Sequence, residues 1–277
     1  MEQITKKSFD ELALIAKKLR LVVIDALYEA GSGHPGSSLS VMDLLVTLYF
    51  GGFLKYDPKN SQWEERDLFL LSNGHAVPAL YAILAEAGYF DFNELNGLRK
   101  LGRGAQGHPK RDSLPGIEIS SGSLGQGLSV GIGLALAAQL KKTGQKVFVM
   151  MSDGEQQEGS TWEAVMLAPK LKLDNLTAII DKNKMQIDGT TQEVMPNLDP
   201  LVEKYLAFGW EVKEVNGHNI KEIIGALSAK NKNGPRVIVA NTLRGKGVSF
   251  MEGSKHWHAG KITPDQYEQA KKDINII

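Results

Sequence analysis

The chain has no cysteine among its 277 residues. Disulfides, thiolate zinc centres and cysteine nucleophiles are thereby excluded, and a reducing compartment is allowed. It has no excess of charge either: 32 Lys and Arg face 32 Asp and Glu. Without a long-range positive field, a generic nucleic-acid or anionic-membrane binder is disfavoured. No apolar run is long enough to span a bilayer, and Met1–Lys7 lacks the basic-then-apolar layout of a signal peptide. There is no repeat, no low-complexity segment and no obvious linker. A cytoplasmic protein is therefore expected, as a single domain over 1–277. The composition that remains is that of an ordinary globular chain, 42% hydrophobic and 23% charged, long enough to bury a substantial core. Zero net charge also leaves it poorly protected against self-association.

Apolar spacing predicts a helix over Phe9–Ala30, with Ser8 as N-cap, Glu11 completing a capping box and Gly31 ending it. Ser38 or Ser40 opens a second helix through Phe50, and Pro78–Ala87 reads as a third. Strands are expected at Asp67–Leu71, Val147–Ser152, Leu176–Ile180, Trp210–Val215 and Arg236–Thr242, and Gly116–Ser120 is a further candidate. Helices are expected from Gly127 to about Lys142, over Thr161–Leu171 and over Ile220–Ala229. Strand and helix in alternation indicate an α/β fold, a mostly parallel central sheet with helices on both faces. Ligands of such sheets bind beyond the carboxyl ends of the strands.

That rim carries unusual chemistry. The apolar run Val147–Met151 delivers the chain into Ser152-Asp153-Gly154, with Glu155 and Glu158 close behind. Taken alone, such acids suit a helix N-terminus. The next strand, however, brings Asp181 and Asn183 to the same level. A carboxylate, an amide oxygen and free carbonyls are hard donors that suit magnesium or calcium rather than zinc or copper. Magnesium usually completes its shell with phosphate oxygens and water, so a phosphorylated ligand is expected there. Gly33-His34, Gly74-His75 and Gly107-His108 each put a histidine directly after a glycine, which is odd for core packing. His218 also follows a glycine and is read as an idle loop residue, and Arg244 as half of an exposed salt bridge.

Asp153-Gly154, followed 30 positions later by Asn183, resembles the thiamine-diphosphate motif. "GSGHPGSS", "SNGHA", "QGHP", "SGSLGQGL", "DGEQQEGSTWEA" and "NTLRGKGV", then "KHWHAGK", resemble the corresponding stretches of transketolase in the same order. The resemblance runs from Ala30 to Lys261 and implies the thiamine-diphosphate-binding fold, as its diphosphate-binding domain. It implies that Asp153, Asn183 and the carbonyl of Met185 hold magnesium, with calcium or manganese as substitutes. Gly154 would admit the diphosphate, while Gly122 and Leu124 would meet the rings of the cofactor. His75 and His258 would face the cofactor, and His34 and His108 the substrate hydroxyls. His258 is preferred to His256 because the Trp257-His258 pair fits the family better. Glu158 and Glu163 match acids at the family's subunit interface. Ser152 stands where the family usually has glycine.

The activity implied is transfer of a two-carbon ketol unit from a ketose phosphate to an aldose phosphate. In that chemistry the cofactor does the hard step and histidines move protons. The family's further domains supply the glutamate that activates the cofactor and the groups that grip sugar phosphate, and nothing here resembles them. A C-terminal transketolase subunit with the pyrimidine-binding domain is the expected partner, in a heterotetramer that binds neither nucleic acid nor membrane; a shortened piece of a longer chain is the alternative. Other readings are a subunit of the 2-oxo acid dehydrogenase or deoxyxylulose-phosphate-synthase type, a non-catalytic scaffold, or an NAD(P)-dependent oxidoreductase. The last would use Gly125-Gln126-Gly127 and Gly131 as a dinucleotide loop.

Overall fold

A computed structural model of the protein describes residues 6–229 and 234–276, so most of the stretch Met1–Lys7 lies outside them. In chain order the helices and strands are α1 (Phe9–Ala30), α2 (Pro35–Ser40), α3 (Met42–Phe50), β1 (Leu68–Leu71), α4 (Val77–Glu86) and α5 (Gly127–Lys141). Then come β2 (Val147–Ser152), α6 (Gly159–Lys170), β3 (Leu176–Lys182), α7 (Thr191–Val194), α8 (Leu201–Ala207), β4 (Glu211–Asn216), α9 (Ile220–Ser228), β5 (Arg236–Asn241) and α10 (Pro264–Ile276).

The five strands form one sheet in the order β1-β2-β3-β5-β4, and every pairing is parallel. Strand side chains alternate between two cores, as the period of two demands. Phe69, Leu71, Phe148, Met150, Ile179, Ile238 and Ala240 pack with α1, α3 and α4 on one face. Leu68, Leu70, Val147, Val149, Met151, Ala178, Ile180 and Val239 pack with α5 and α6 on the other. The α/β layering expected from the sequence is what forms. None of the described helices is long and apolar enough to cross a membrane.

The capping box that opens α1 is present: Ser8 Oγ accepts from Glu11 N, and Glu11 accepts from Ser8 N at 2.8 Å. Two local expectations are corrected. The second helix begins at Pro35, ahead of Ser38 and Ser40, and breaks at Val41 into α2 and α3; a proline at the first position is pre-set for a helix and needs no donor there. Gly116–Ser120 is not a strand. Gly116 sits at φ +84°, Ile117 N closes a turn on Leu114 O, and Glu118 is held by the Arg66 guanidinium at 2.7 Å. The polar tail is α10, with Tyr267 stacked on Tyr28 of α1 at 4.2 Å.

Candidate active site at the carboxyl rim

With all strands parallel, the segments after β1, β2, β3 and β5 leave the sheet on one rim. Asp153, just past β2, is 1% exposed. Its Oδ1 accepts from Gly154 N and its Oδ2 from Lys184 N, both at 2.7 Å, so one carboxylate ties the loops after β2 and β3. Beside it lies Asp181 at the end of β3, also fully buried, accepting from Ser40 Oγ at 2.8 Å, from Asn183 Nδ2 at 3.0 Å and from Thr242 Oγ1. Asn183 Oδ1 accepts from Met185 N at 3.0 Å. Burial, then the charge of Asp181, push the Asp153 carboxyl up to about 7, against the pull of its amide donors and Arg244. Burial raises Asp181 as well. Two buried acids with so little compensating charge make a place that favours a cation.

The donors present suit a metal only in part from protein. Among the described residues no group of three or more His, Cys, Asp or Glu forms a metal cage. A cation here would take the free lone pairs of Asp153 and Asn183 and complete its shell with other oxygens, the habit of magnesium. Gly154 fits the same picture: a Cβ there would meet nothing nearer than Gln186 at 3.7 Å, so the chain's own packing leaves the space open. Met185, whose carbonyl is expected to face a metal, instead has that oxygen accepting from Arg244 Nη2.

Arg244 corrects the sequence reading outright. It is 2% exposed rather than part of a surface salt bridge, and its Nη1 donates to Gln186 O at 3.1 Å. Its Nε is buried with no partner among the described residues. A guanidinium so placed, buried and attracted by Asp153 and Asp181, has the chemistry to receive an anion at the mouth of the acidic rim. His218 is corrected too. Its Nε2 accepts from Leu243 N at 2.8 Å, so its proton is on Nδ1, which donates to Asp43 Oδ2 at 2.7 Å. Asp43 is in turn gripped by Arg20 through two bonds, at 2.6 and 3.1 Å. This buried network fixes the backbone one residue before Arg244.

Four of the six histidines meet. His34 is the hub, with ring centroids 5.6 Å from His75, 5.5 Å from His108 and 5.3 Å from His258, and His75 lies 5.2 Å from His258. His256 is exposed and makes none of these ring contacts among the described residues. Loop closure explains the gathering: Gly260 N bonds Gly33 O at 2.9 Å and Gly245 N bonds Gly36 O at 3.0 Å. Gly36 is required there, since a Cβ would lie 2.5 Å from Trp257 O and 2.7 Å from Arg244 Cγ. Burial, then the neighbouring His258, His108 and Arg99, lower His34 to about 4. Burial and Arg244 lower His258 to about 4, and burial lowers His75 and His108 as well. At neutral pH the cluster is a set of uncharged imidazoles. The Nδ1 atoms of His34 and His258 are buried without a partner among the described residues, and His75 Nε2 meets Ser37 Oγ at 3.1 Å.

The Gly122–Gly127 loop reaches the rim although no strand precedes it. Gly125 N donates to Glu155 Oε1 at 2.8 Å and Gly127 N to Ser72 Oγ at 3.1 Å, while Ser72 Oγ bonds Glu155. Glu155 is therefore an internal bracket, buried and with its carboxyl raised by that burial. Gly122, at φ +131°, lets the His108 ring pass 3.0 Å from where a Cβ would sit, and Leu124 is partly exposed beside it. Without a strand ahead of it, this loop is not a dinucleotide fingerprint. Glu158 and Glu163 stand apart: both are exposed, at the start and on the outer face of α6, with no side-chain hydrogen bond among the described residues.

Comparison with known proteins agrees with this geometry. The family described as "Transketolase, thiamine diphosphate binding domain" matches residues 12–276. The chain belongs to the transketolase family. It is 42% identical over 269 residues to an apulose-4-phosphate transketolase subunit of Phocaeicola vulgatus, covering 96% of this chain and 94% of that one. It is 43% identical to a 6-deoxy-6-sulfo-D-fructose transketolase subunit of a Clostridium species, with 94% of each chain covered. The crystal structure of Campylobacter jejuni transketolase superposes with a TM-score of 0.90 at 34% identity, over 97% of this chain but 43% of that one. The chain is thus a transketolase-type subunit carrying the thiamine-diphosphate-binding fold, and it matches less than half of a full-length transketolase.

Proposed function

We propose that this chain is the diphosphate- and magnesium-binding half of a two-subunit transketolase, a single domain that moves a two-carbon ketol unit between sugar phosphates only with its partner. The observation that carries the reading is the meeting of four neutral imidazoles beside a rim that buries the two carboxylates Asp153 and Asp181. Asp153, Asn183 and, once Arg244 lets it go, the Met185 carbonyl would hold magnesium. Arg244, Ser37 and the amides around Gly154 would receive the diphosphate, and Gly122 and Leu124 would border its rings. When bound, thiamine diphosphate supplies the carbon nucleophile and the electron sink for breaking the ketose C2–C3 bond.

The chain's residues do the rest. His34 and His108 accept and return the hydroxyl protons of the sugar, and their depressed pKa values keep them as free bases. Anions arriving beside them raise those values again, so the imidazoles become better proton acceptors when the site is loaded. His75 and His258 face the cofactor and share the field of Arg244. The covered share of full-length relatives supports a second subunit that supplies the pyrimidine-binding domain, and exposed Glu158 and Glu163 suit an interface in a heterotetramer.

The test uses the chain with and without its co-expressed partner. Thiamine diphosphate and magnesium together, at about 100 times the dissociation constant, should stabilise the complex by about 2.7 kcal/mol, and either alone by less. Ketol transfer should require both chains. Robust turnover by the isolated chain, or no thermal shift of the complex with both ligands, overturns the proposal.

A further inference from the structure

One oxygen of the rim is claimed twice. The Met185 carbonyl is the backbone group expected to face a metal, yet it accepts from Arg244 Nη2, and the next carbonyl, Gln186 O, accepts from Arg244 Nη1 at 3.1 Å. The guanidinium thus forks across two successive carbonyls. The turn that presents them is shaped by bonds of its own. Met185 N donates to Asn183 Oδ1 at 3.0 Å, Gln186 N to Gly189 O at 2.7 Å and Thr191 N to Lys184 O at 2.9 Å. A carbonyl oxygen has a second lone pair. A divalent ion taken up on it would nevertheless sit at close quarters with a full positive charge, in a buried place where like charges repel strongly. Arg244 and a metal therefore compete for Met185.

We propose that Arg244 is a latch on the Met185 carbonyl, and that it leaves this oxygen to a metal only when an anionic diphosphate draws the guanidinium onto itself. The inference rests on the diphosphate and magnesium reading above and adds an order to it: the anion is received first, and Met185 joins the metal shell second. Two observations point to the exchange. A guanidinium prefers a bidentate oxyanion to a pair of neutral carbonyls. Two donors at this junction are also spare, since Arg244 Nε and Gln186 Nε2 are buried without a partner among the described residues. Gln186 Cδ stands 3.7 Å, and its Nε2 3.9 Å, from where a Cβ on Gly154 would lie, on the open side of that glycine. The stem of Arg244 is confined beside Gly36, so the head changes partners without leaving the rim. Asp153 and Asp181 attract the same guanidinium, which makes it the buried cation of the acidic pair for as long as it stays on the carbonyls.

The experiment uses the cofactor-free complex with the partner subunit, as wild type, Arg244→Met and Arg244→Lys. Manganese alone, followed by electron paramagnetic resonance, should bind Arg244→Met about 10- to 100-fold more tightly than wild type, the worth of a hydrogen bond to a charged group. Arg244→Lys keeps the charge and loses the fork, so its affinity should fall between the two. Thiamine diphosphate should tighten manganese in all three proteins, because it brings oxygens of its own, but by the largest factor in wild type. Wild type also reports directly. Met185-Gln186 is the only Met-Gln pair in the sequence. With the partner left unlabelled, carbonyl carbon-13 methionine and nitrogen-15 glutamine mark this one peptide bond in nuclear magnetic resonance spectra. Thiamine diphosphate added without metal should shift that carbonyl signal in wild type. Equal manganese affinity in wild type and Arg244→Met, Arg244→Lys indistinguishable from wild type, or a Met185 carbonyl signal that stays put until metal is added would each overturn the proposal. A wild-type complex that takes up neither thiamine diphosphate nor manganese, alone or together, defeats the diphosphate and magnesium reading itself, and the inference with it.

Discussion

Replacing Asp43 by alanine should be among the most damaging single changes in this chain. The carboxylate is 7% exposed, accepts two bonds from Arg20 and one from His218, and neutralises a guanidinium that is itself 4% exposed. Once it is removed, the Arg20 head keeps one weak bond, to Leu39 O at 3.4 Å. An uncompensated buried charge costs about 3–5 kcal/mol. At roughly 2 °C per kcal/mol for a chain of this size, the melting temperature should fall by about 6–10 °C. The double variant Arg20→Met/Asp43→Leu removes both charges and should recover most of the loss, so the singles and the double should differ by about 2–3 kcal/mol of coupling. His218 loses its acceptor in both, Leu243 is released, and thiamine-diphosphate binding weakens even where stability returns. Acid behaviour gives a second check. Burial alone would raise the Asp43 carboxyl, but Arg20 and His218 outweigh it and hold it at about 2. The unfolded value is higher, so this contribution is present above about pH 4 and is lost as pH falls towards 2. Urea denaturation and calorimetry across pH measure all of this. A loss below about 1 kcal/mol for Asp43→Ala, or singles that simply add in the double, refutes the reasoning.

Two further outcomes are expected. His34 and His258 titrate near 4 when folded and near 6.5 when unfolded, so the unfolded chain binds more protons between those values and the cofactor-free protein should lose stability as pH falls from about 6.5 to 4; calorimetry should show that limb flattened in His34→Gln/His258→Gln. On α5, Gly127→Ala drives a methyl into the Ser72 side chain and should cost about 1–3 kcal/mol in urea titrations, whereas Gly133→Ala, with nothing within 4 Å, should gain about 0.5–1 kcal/mol.

The sequence is most informative where signals are local. The capping box of α1 and the apolar strands are each written within a few residues of chain, and each forms as expected. Three of the four Gly-His pairs are also telling, because their imidazoles meet in one cluster, whereas His218 is held by Asp43. The misses share one physical cause: each is decided by a partner distant in sequence. His218 is defined by Asp43, 175 residues away, and Glu155 by Ser72, 83 residues away. Arg244 looks exposed in the sequence because nothing local shows that its head is enclosed by the Met185–Gln186 carbonyls. Gly116–Ser120 alternates like a strand, but its residues bond within their own loop and to Arg66.

Between α4 and α5 the chain wanders through residues 87–126 without contributing a single strand to the sheet. That excursion carries Arg99, His108, Gly122 and Leu124, while Asp153 and Asn183 sit on the short exits of β2 and β3. Insertions, deletions and charge swaps in the excursion therefore leave the ladder of main-chain bonds intact. A lineage could rework the side of the rim where His108 lies by editing this one stretch, and keep Asp153 and Asn183 where the strands deliver them.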